Sequence, residues 1–211
     1  MKAKQLKILG LALAVALIQV VSLPVMAGDI HGKQTGQIVS LGKGSFARNT
    51  SGKHNTALGH KALHLNTQGQ KNTALGRIAL RYNNRGSNNT AVGSEALWKN
   101  TTGNGNTAVG VQALNQNTRG VKNTASGFHA LSKNTTGSFN TASGSHALFS
   151  NTTGTHNTAL GIHALNRNKT GLNNTASGAH ALGRNTRGSY NTASGLQALF
   201  KNTTGNNNTA S

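Results

Sequence analysis

From Asn55 onward the chain repeats the pattern NTAxGxxALxxNTxGxx every 17 residues without insertion or deletion. The motif restarts at Asn72, Asn89, Asn106, Asn123, Asn140, Asn157, Asn174 and Asn191, and once more at Asn208. A degenerate copy precedes it over residues 38 to 54, where Gly42, Phe46, Asn49, Thr50 and Gly52 keep the spacing. A period held this strictly is the signature of stacked structural units that bury apolar residues against their neighbours. Few aromatics and abundant Gly, Asn and Thr would otherwise suggest disorder, but disorder needs only a composition, not residues held at fixed offsets.

Each unit can be numbered from its first residue, usually Asn. Position 5 is Gly in every copy from Gly42 to Gly195, and position 15 is Gly from Gly52 to Gly205. Two fixed glycines mark places where the backbone turns unusually or where neighbouring backbones approach closely. Position 9 is the apolar column: Phe46, then Leu63, Leu80, Leu97, Leu114, Leu131, Leu148, Leu165, Leu182 and Leu199. Positions 3 and 8 are Ala in all units but the first, while position 4 is Leu or Val in some units and Ser in Ser126, Ser143, Ser177 and Ser194.

These columns predict local structure. Positions 1 to 5, with Thr second and a β-branched or small residue often fourth, suit a short strand. Positions 5, 8, 9 and 12 have the i, i+3, i+4, i+7 spacing of a helix face, and Asn at 12 with Gly at 15 suit a helix exit through the left-handed conformation. We therefore expect a repeat solenoid, mainly β, of about ten coils, each with one short parallel strand plus a compact segment whose spacing allows a single helical turn. The asparagines at positions 1 and 12 would either form ladders from coil to coil or bond their own turns. One Leu and two Ala per unit make a thin core, so we also expect lateral association, with position 4 and the variable Phe128, Phe139, Phe149 and Phe200 available for it.

The organisation outside the array is simple. Residues 1–27 read as a secretory signal: Lys2, Lys4 and Lys7 form a basic start, residues 8 to 21 are largely apolar, and Val25, Met26 and Ala27 offer a small-residue cleavage site. Residues 28–37 are a polar lead-in, and residues 38–211 are the repeat solenoid. Export without cysteine means no disulfides, so stability must come from packing and hydrogen bonding. We expect a secreted, extracellular or cell-surface protein with no transmembrane segment once the signal is removed.

The chemistry available is limited. Asp29 and Glu95 are the only two acids, against 21 Lys and Arg, for a net charge of +19. Paired-carboxylate catalysis and carboxylate-rich Ca²⁺ sites are thereby excluded, and we expect no enzyme, no cofactor and no metal site. Position 7 carries His129, His146, His163 and His180 in successive units. Such a column could bind a transition metal or respond to pH; Gln112 and Gln197 on either side favour a solvated ladder. Ser126 with His129 and its equivalents repeat an SxxH spacing, but no acid is there to orient the imidazole, so these are columns and not triads.

The strong positive charge favours anionic partners. Position 11 supplies Arg48, Lys99, Lys133, Arg167, Arg184 and Lys201, joined at position 14 by Arg85, Arg119 and Arg187. Cations at regular intervals along a rod would hold a polyanion multivalently and in a salt-sensitive way; the competing reading is a charged face that keeps the rod soluble. We expect anionic polysaccharide, lipopolysaccharide or matrix surfaces as partners, and no specific nucleic acid, since no nucleic-acid fold motif accompanies the charge. Ice binding through Thr at positions 2 and 13 would need a flat uncharged face, and Asn84 and Lys169 interrupt the second column.

The phrases NTALGHKALHLNTQG, NTAVGSEALWKNTTG and NTASGSHALFSNTTG resemble the head repeats of bacterial trimeric autotransporter adhesins and related surface and tail-fibre repeats. The resemblance spans residues 38 to 211. It implies a bacterial, extracellular, trimeric solenoid whose surface binds host matrix, cells or polymers. The chain shows neither a heptad stalk nor a set of membrane strands, and its unit is longer than the best-known head repeats. A structural and adhesive role is thus the leading expectation, with a self-assembling extracellular matrix (biofilm) fibre subunit as the alternative.

Overall fold

A computed structural model describes residues 38–211; the expected signal and lead-in, residues 1–37, lie outside the described residues. The chain winds as a parallel β-solenoid of ten 17-residue coils, with an eleventh begun. Coil 1 is residues 38–54, coil 2 is 55–71, and so on to coil 10 at 191–207. Each coil contributes one three-residue strand, from β1 (Val39–Leu41) and β2 (Thr56–Leu58) to β10 (Thr192–Ser194), followed by β11 (Thr209–Ala210). The strands form a single 11-stranded sheet in chain order. Every pairing is parallel and offset by one repeat, as in Thr90↔Thr107 and Ala91↔Ala108. With 17 residues in every unit, register follows from the sequence period itself, and each column of the repeat becomes a line along the rod.

The pleat sorts the strand residues. Alanine at position 3 points inward and is fully buried from Ala57 to Ala176, while positions 2 and 4 face out. Behind the sheet stand Ala at position 8 and Leu at position 9, from Ala62 and Leu63 to Ala181 and Leu182, all with no exposure. Phe46 closes this leucine column at one end, and Leu199 packs partly buried at the other. The core is one Leu and two Ala wide along its whole length.

No helical turn forms among the described residues. In coil 4, Ala96 N–H donates to Gly93 O at 3.3 Å, Trp98 to Glu95 at 3.3 Å and Asn100 to Leu97 at 3.1 Å, which makes three overlapping turns. Glu95 (φ 62°) and Leu97 (φ 50°) are left-handed, a conformation that repeats at positions 7 and 9 of the coils. A helix would satisfy these backbone groups within the coil. Here Glu95 N–H donates instead to Arg77 O of the preceding coil (3.0 Å), and Leu97 and Lys99 donate to Ala113 O and Asn115 O of the following one (3.0 and 2.9 Å). Positions 8, 9 and 12 are constant because their side chains turn to the interior, not because they share a helix face.

Glycine at position 15 does not serve the helix exit expected of it, while both glycine columns mark the close backbone approach that two fixed glycines predict. Gly110, at position 5, has φ +130°, and a Cβ there would lie 2.5 Å from Gly127 O of the next coil. Position 15 is not left-handed; a Cβ on Gly103 would overlap Gly120 O and the Asn100 side chain. Both columns are glycine because successive backbones touch there.

The asparagines form the coil-to-coil ladders. Asn100 Nδ2 donates to Asn83 Oδ1 at 2.7 Å and to Gly103 O at 3.0 Å, and its own Oδ1 accepts from Asn117 at 2.8 Å. At position 1, Asn106 donates both its backbone N–H (2.9 Å) and Nδ2 (3.1 Å) to Asn89 Oδ1, and Nδ2 reaches Gly120 O at 2.9 Å. These amides are buried, and the pairing in both directions offsets the desolvation of groups that would otherwise be costly to bury. A third ladder uses threonine at position 13: Thr118 Oγ1 donates to Thr135 O at 3.0 Å and Thr135 to Thr152 O at 2.9 Å.

Candidate functional site

The constant positions are thus consumed by core and ladders, and the variable ones form the surface. The nine expected cations, Arg48, Arg85, Lys99, Arg119, Lys133, Arg167, Arg184, Arg187 and Lys201, are all exposed. Positions 11 and 14 lie on the same edge of the rod, since both line a hollow of about 350 Å³ bordered by Arg48, Leu65, Tyr82, Arg85 and the position 13 ladder. Thr67 and Thr101 of that ladder also floor the hollow. Glu95, the one described acidic side chain, lies away from this edge at position 7, where Arg77 (2.6 Å) and Gln112 (2.8 Å) bond it.

Aromatic residues, which the sequence reading had left out of the site, are interleaved with these cations. Tyr82 and Trp98 meet edge to face at 5.5 Å between ring centroids. Arg81 lies over Tyr82 (5.1 Å), Lys99 over Trp98 (5.3 Å), Lys133 over Phe149 (4.7 Å) and Arg184 over Phe200 (5.0 Å). In each pair the charged group itself lies over the ring; Lys99, Lys133 and Arg184 are exposed, while Arg81 is half-buried with its Nε unpartnered. A second hollow, of about 280 Å³, is lined by Tyr82, Trp98, Lys99, Thr101 and Thr118, and shares Tyr82 and Thr101 with the first. The available signal was small: the only Trp and one of two Tyr fall at positions 10 and 11 of successive coils.

The histidines occupy a different line. His129, His146, His163 and His180 stack with centroid separations of 5.2, 5.0 and 5.1 Å and interplanar angles of 21°, 19° and 16°. Phe128 and Phe149 pack edge-on against His129. Partial burial, and then the neighbouring imidazoles, hold His146 and His163 below the ordinary histidine pKa. Stacked rings supply ligands in a line, and among the described residues no three His, Asp or Glu side chains converge where a metal ion could sit. Ser126 lies on the outward face of the sheet, while His129 Nδ1 has no hydrogen-bond partner and His146 Nδ1 meets Ser145 rather than Ser143.

The sheet's outer face is the third surface. At positions 4 and 6 it exposes Leu41, Leu75, Val109, Val111, Phe128, Leu160, Ile162 and Leu196. No helix among the described residues is long and apolar enough to cross a membrane. Comparison with family models, with curated proteins and with solved structures returned no match to this chain.

Proposed function

We propose that this is a secreted or cell-surface bacterial structural and adhesive protein without catalytic function, which holds anionic polymers, matrix or cells along its basic edge. The observation that carries the reading is the convergence of positions 11 and 14: nine cations from eight coils are exposed on one edge, where no acidic side chain among the described residues opposes them. A rod with about 4.8 Å per coil presents this edge over roughly 45 to 50 Å, long enough to meet several charges of a polymer at once. The basic, apolar and small-residue order of residues 1–27 supports export, and the repeat phrases support a likeness to trimeric adhesin heads. The exposed apolar line at positions 4 and 6 supports association of three copies through the sheet face.

Retention on immobilised heparin tests the polyanion reading. We expect retention at low salt that is lost steeply as salt rises, because each neutralised charge releases counterions. Failure to bind any polyanion at low salt, or binding indifferent to high salt, would overturn it.

A further inference from the structure

We propose that the paired hollows around Tyr82 and Trp98 form a discrete subsite for an acidic sugar residue, so that the polymer held by this edge is a uronate-containing polysaccharide. The inference rests on the polyanion reading and narrows it to a place and a chemistry. Four features converge around coils 3 and 4, with the larger hollow reaching back to Arg48 of coil 1. Two adjoining concavities, of about 350 and 280 Å³, share Tyr82 and Thr101. Tyr82 gives both of them an apolar wall and Trp98 adds to that of the smaller. Arg48 and Arg85 border the larger one and Lys99 the smaller, which places cations where a carboxylate on a bound ring would meet them. The indole N–H of Trp98 is buried without a hydrogen-bond partner, a donor that a ligand oxygen would satisfy after a small rotation of the ring.

This combination fits a pyranose. The axial C–H faces of a sugar ring pack on aromatic carbon, its hydroxyls seek polar groups at the rim, and a uronate adds one negative charge per ring. Pockets for small ligands share this anatomy of apolar walls with a few placed polar groups. The spacing also agrees: a pyranose in an extended chain advances by about the rise of one coil, roughly 4.8 Å, so a few rings span the distance from Arg48 in coil 1 to Arg85 and Lys99 in coils 3 and 4. A nucleotide in an extended strand advances further, and base stacking wants successive open ring faces. Here the two rings meet at 69°, and Arg81 and Lys99 already cover one face of each.

Trp98 is the only tryptophan, so its fluorescence reports on this site alone. The full chain would be titrated with tetragalacturonate, with neutral maltotetraose and with oligothymidylate, and its retention on heparin measured alongside. We expect a saturable change in emission with tetragalacturonate and none with maltotetraose. Affinity should fall about tenfold or more in Tyr82→Ala and in Arg85→Glu, the range of an anchoring contact, and change by less than about twofold in Lys43→Ala, an exposed cation outside the basic edge. Arg85 is exposed, so its variant remains informative if Tyr82→Ala fails to fold by circular dichroism. Retention on heparin with Trp98 emission unmoved by tetragalacturonate, or unchanged affinity in Tyr82→Ala and Arg85→Glu, would overturn the subsite and leave the polyanion edge standing. Tighter binding of oligothymidylate than tetragalacturonate would overturn the sugar assignment. Loss of all polyanion binding by the wild-type chain would overturn both readings.

Discussion

At the scale of single residues, the fold depends on side chains used against their preferences. Leucine at position 9 is fully buried at φ near 50°, where a Cβ is strained by about 1 to 2 kcal/mol. Burial of the side chain and the bonds from its N–H to the next coil offset that cost. The strain is simpler to measure at position 17, where Lys71 is exposed at φ 55° and coil 4 carries Gly105 at φ 66° instead. Lys71→Gly is expected to raise the denaturation midpoint by the equivalent of about 0.5 to 1 kcal/mol, since relief of strain exceeds the added chain entropy. A lower midpoint would show that the lysine stem contributes more than its conformation costs. The opposite outcome is expected at Asn100. Asn100→Ala removes one rung and leaves Asn83 Oδ1 and Asn117 Nδ2 buried without that partner, which should cost about 2 to 4 kcal/mol. Urea denaturation of Asn100→Ala against Asn104→Ala, an exposed position in the same coil, separates the ladder from a general loss of asparagine.

At the scale of the element, the strand and the segment after it differ in how far sequence specifies them. The strand could be read because Thr, Ala and a β-branched or small residue carry their own preference, and because period 2 sorts them in and out locally. The segment from position 5 to position 12 could not. Its i, i+3, i+4, i+7 constancy matches a helix, yet Glu95, Leu97 and their equivalents are held left-handed by hydrogen bonds that exist only between coils. Neither Leu, His nor Glu signals that conformation by itself. The same limit applied to the basic edge: the cations could be read as columns, but Tyr82 and Trp98 lie 16 residues apart and meet only once coils 3 and 4 are stacked. Position 7 shows a consequence of stacking that can be tested. His146 and His163 titrate below 6.5, and their surroundings are other imidazoles and Phe128 and Phe149, with Lys133 over Phe149 and Arg184 over the Phe200 that abuts His180. Glu95 is two coils from His129 along the column and already bonded to Arg77 and Gln112. A depressed folded-state pKa means the unfolded chain binds protons first. Stability is therefore fully present above 6.5 and falls as pH drops through the depressed folded values. Thermal midpoints should hold above about pH 6.5 and decline as pH falls below it, and His146→Gln with His163→Gln, copying Gln112 and Gln197, should flatten the decline. An unchanged slope in that double variant would place the acid sensitivity elsewhere.

At the scale of the whole molecule, the two long faces of the rod have opposite characters, and this governs how copies would meet. The edge with positions 11 and 14 is strongly cationic, so two copies repel there and a polyanion is attracted. The sheet face has lines of threonine and of apolar side chains, with Val109 at 42% exposure, Phe128 at 49% and Ile162 at 54%. Burying such side chains against another copy is favourable by about 25 cal/mol per Å², and the in-register sheet sets them in line along the rod, with Ser126, Ser143, Ser177 and Ser194 between them at position 4. Packing three sheet faces around a common axis would hide the apolar lines and leave three basic edges outward, each free to bind. Sedimentation equilibrium at low and high salt should then give a trimer whose mass is insensitive to salt, while retention on heparin falls steeply with it. Val109→Glu combined with Ile162→Glu should shift the trimer toward monomer and weaken heparin retention by lowering avidity, with the affinity of a single edge for a short oligosaccharide unchanged. A wild-type chain that sediments as a monomer, or a variant that stays trimeric, would remove the sheet face as the interface.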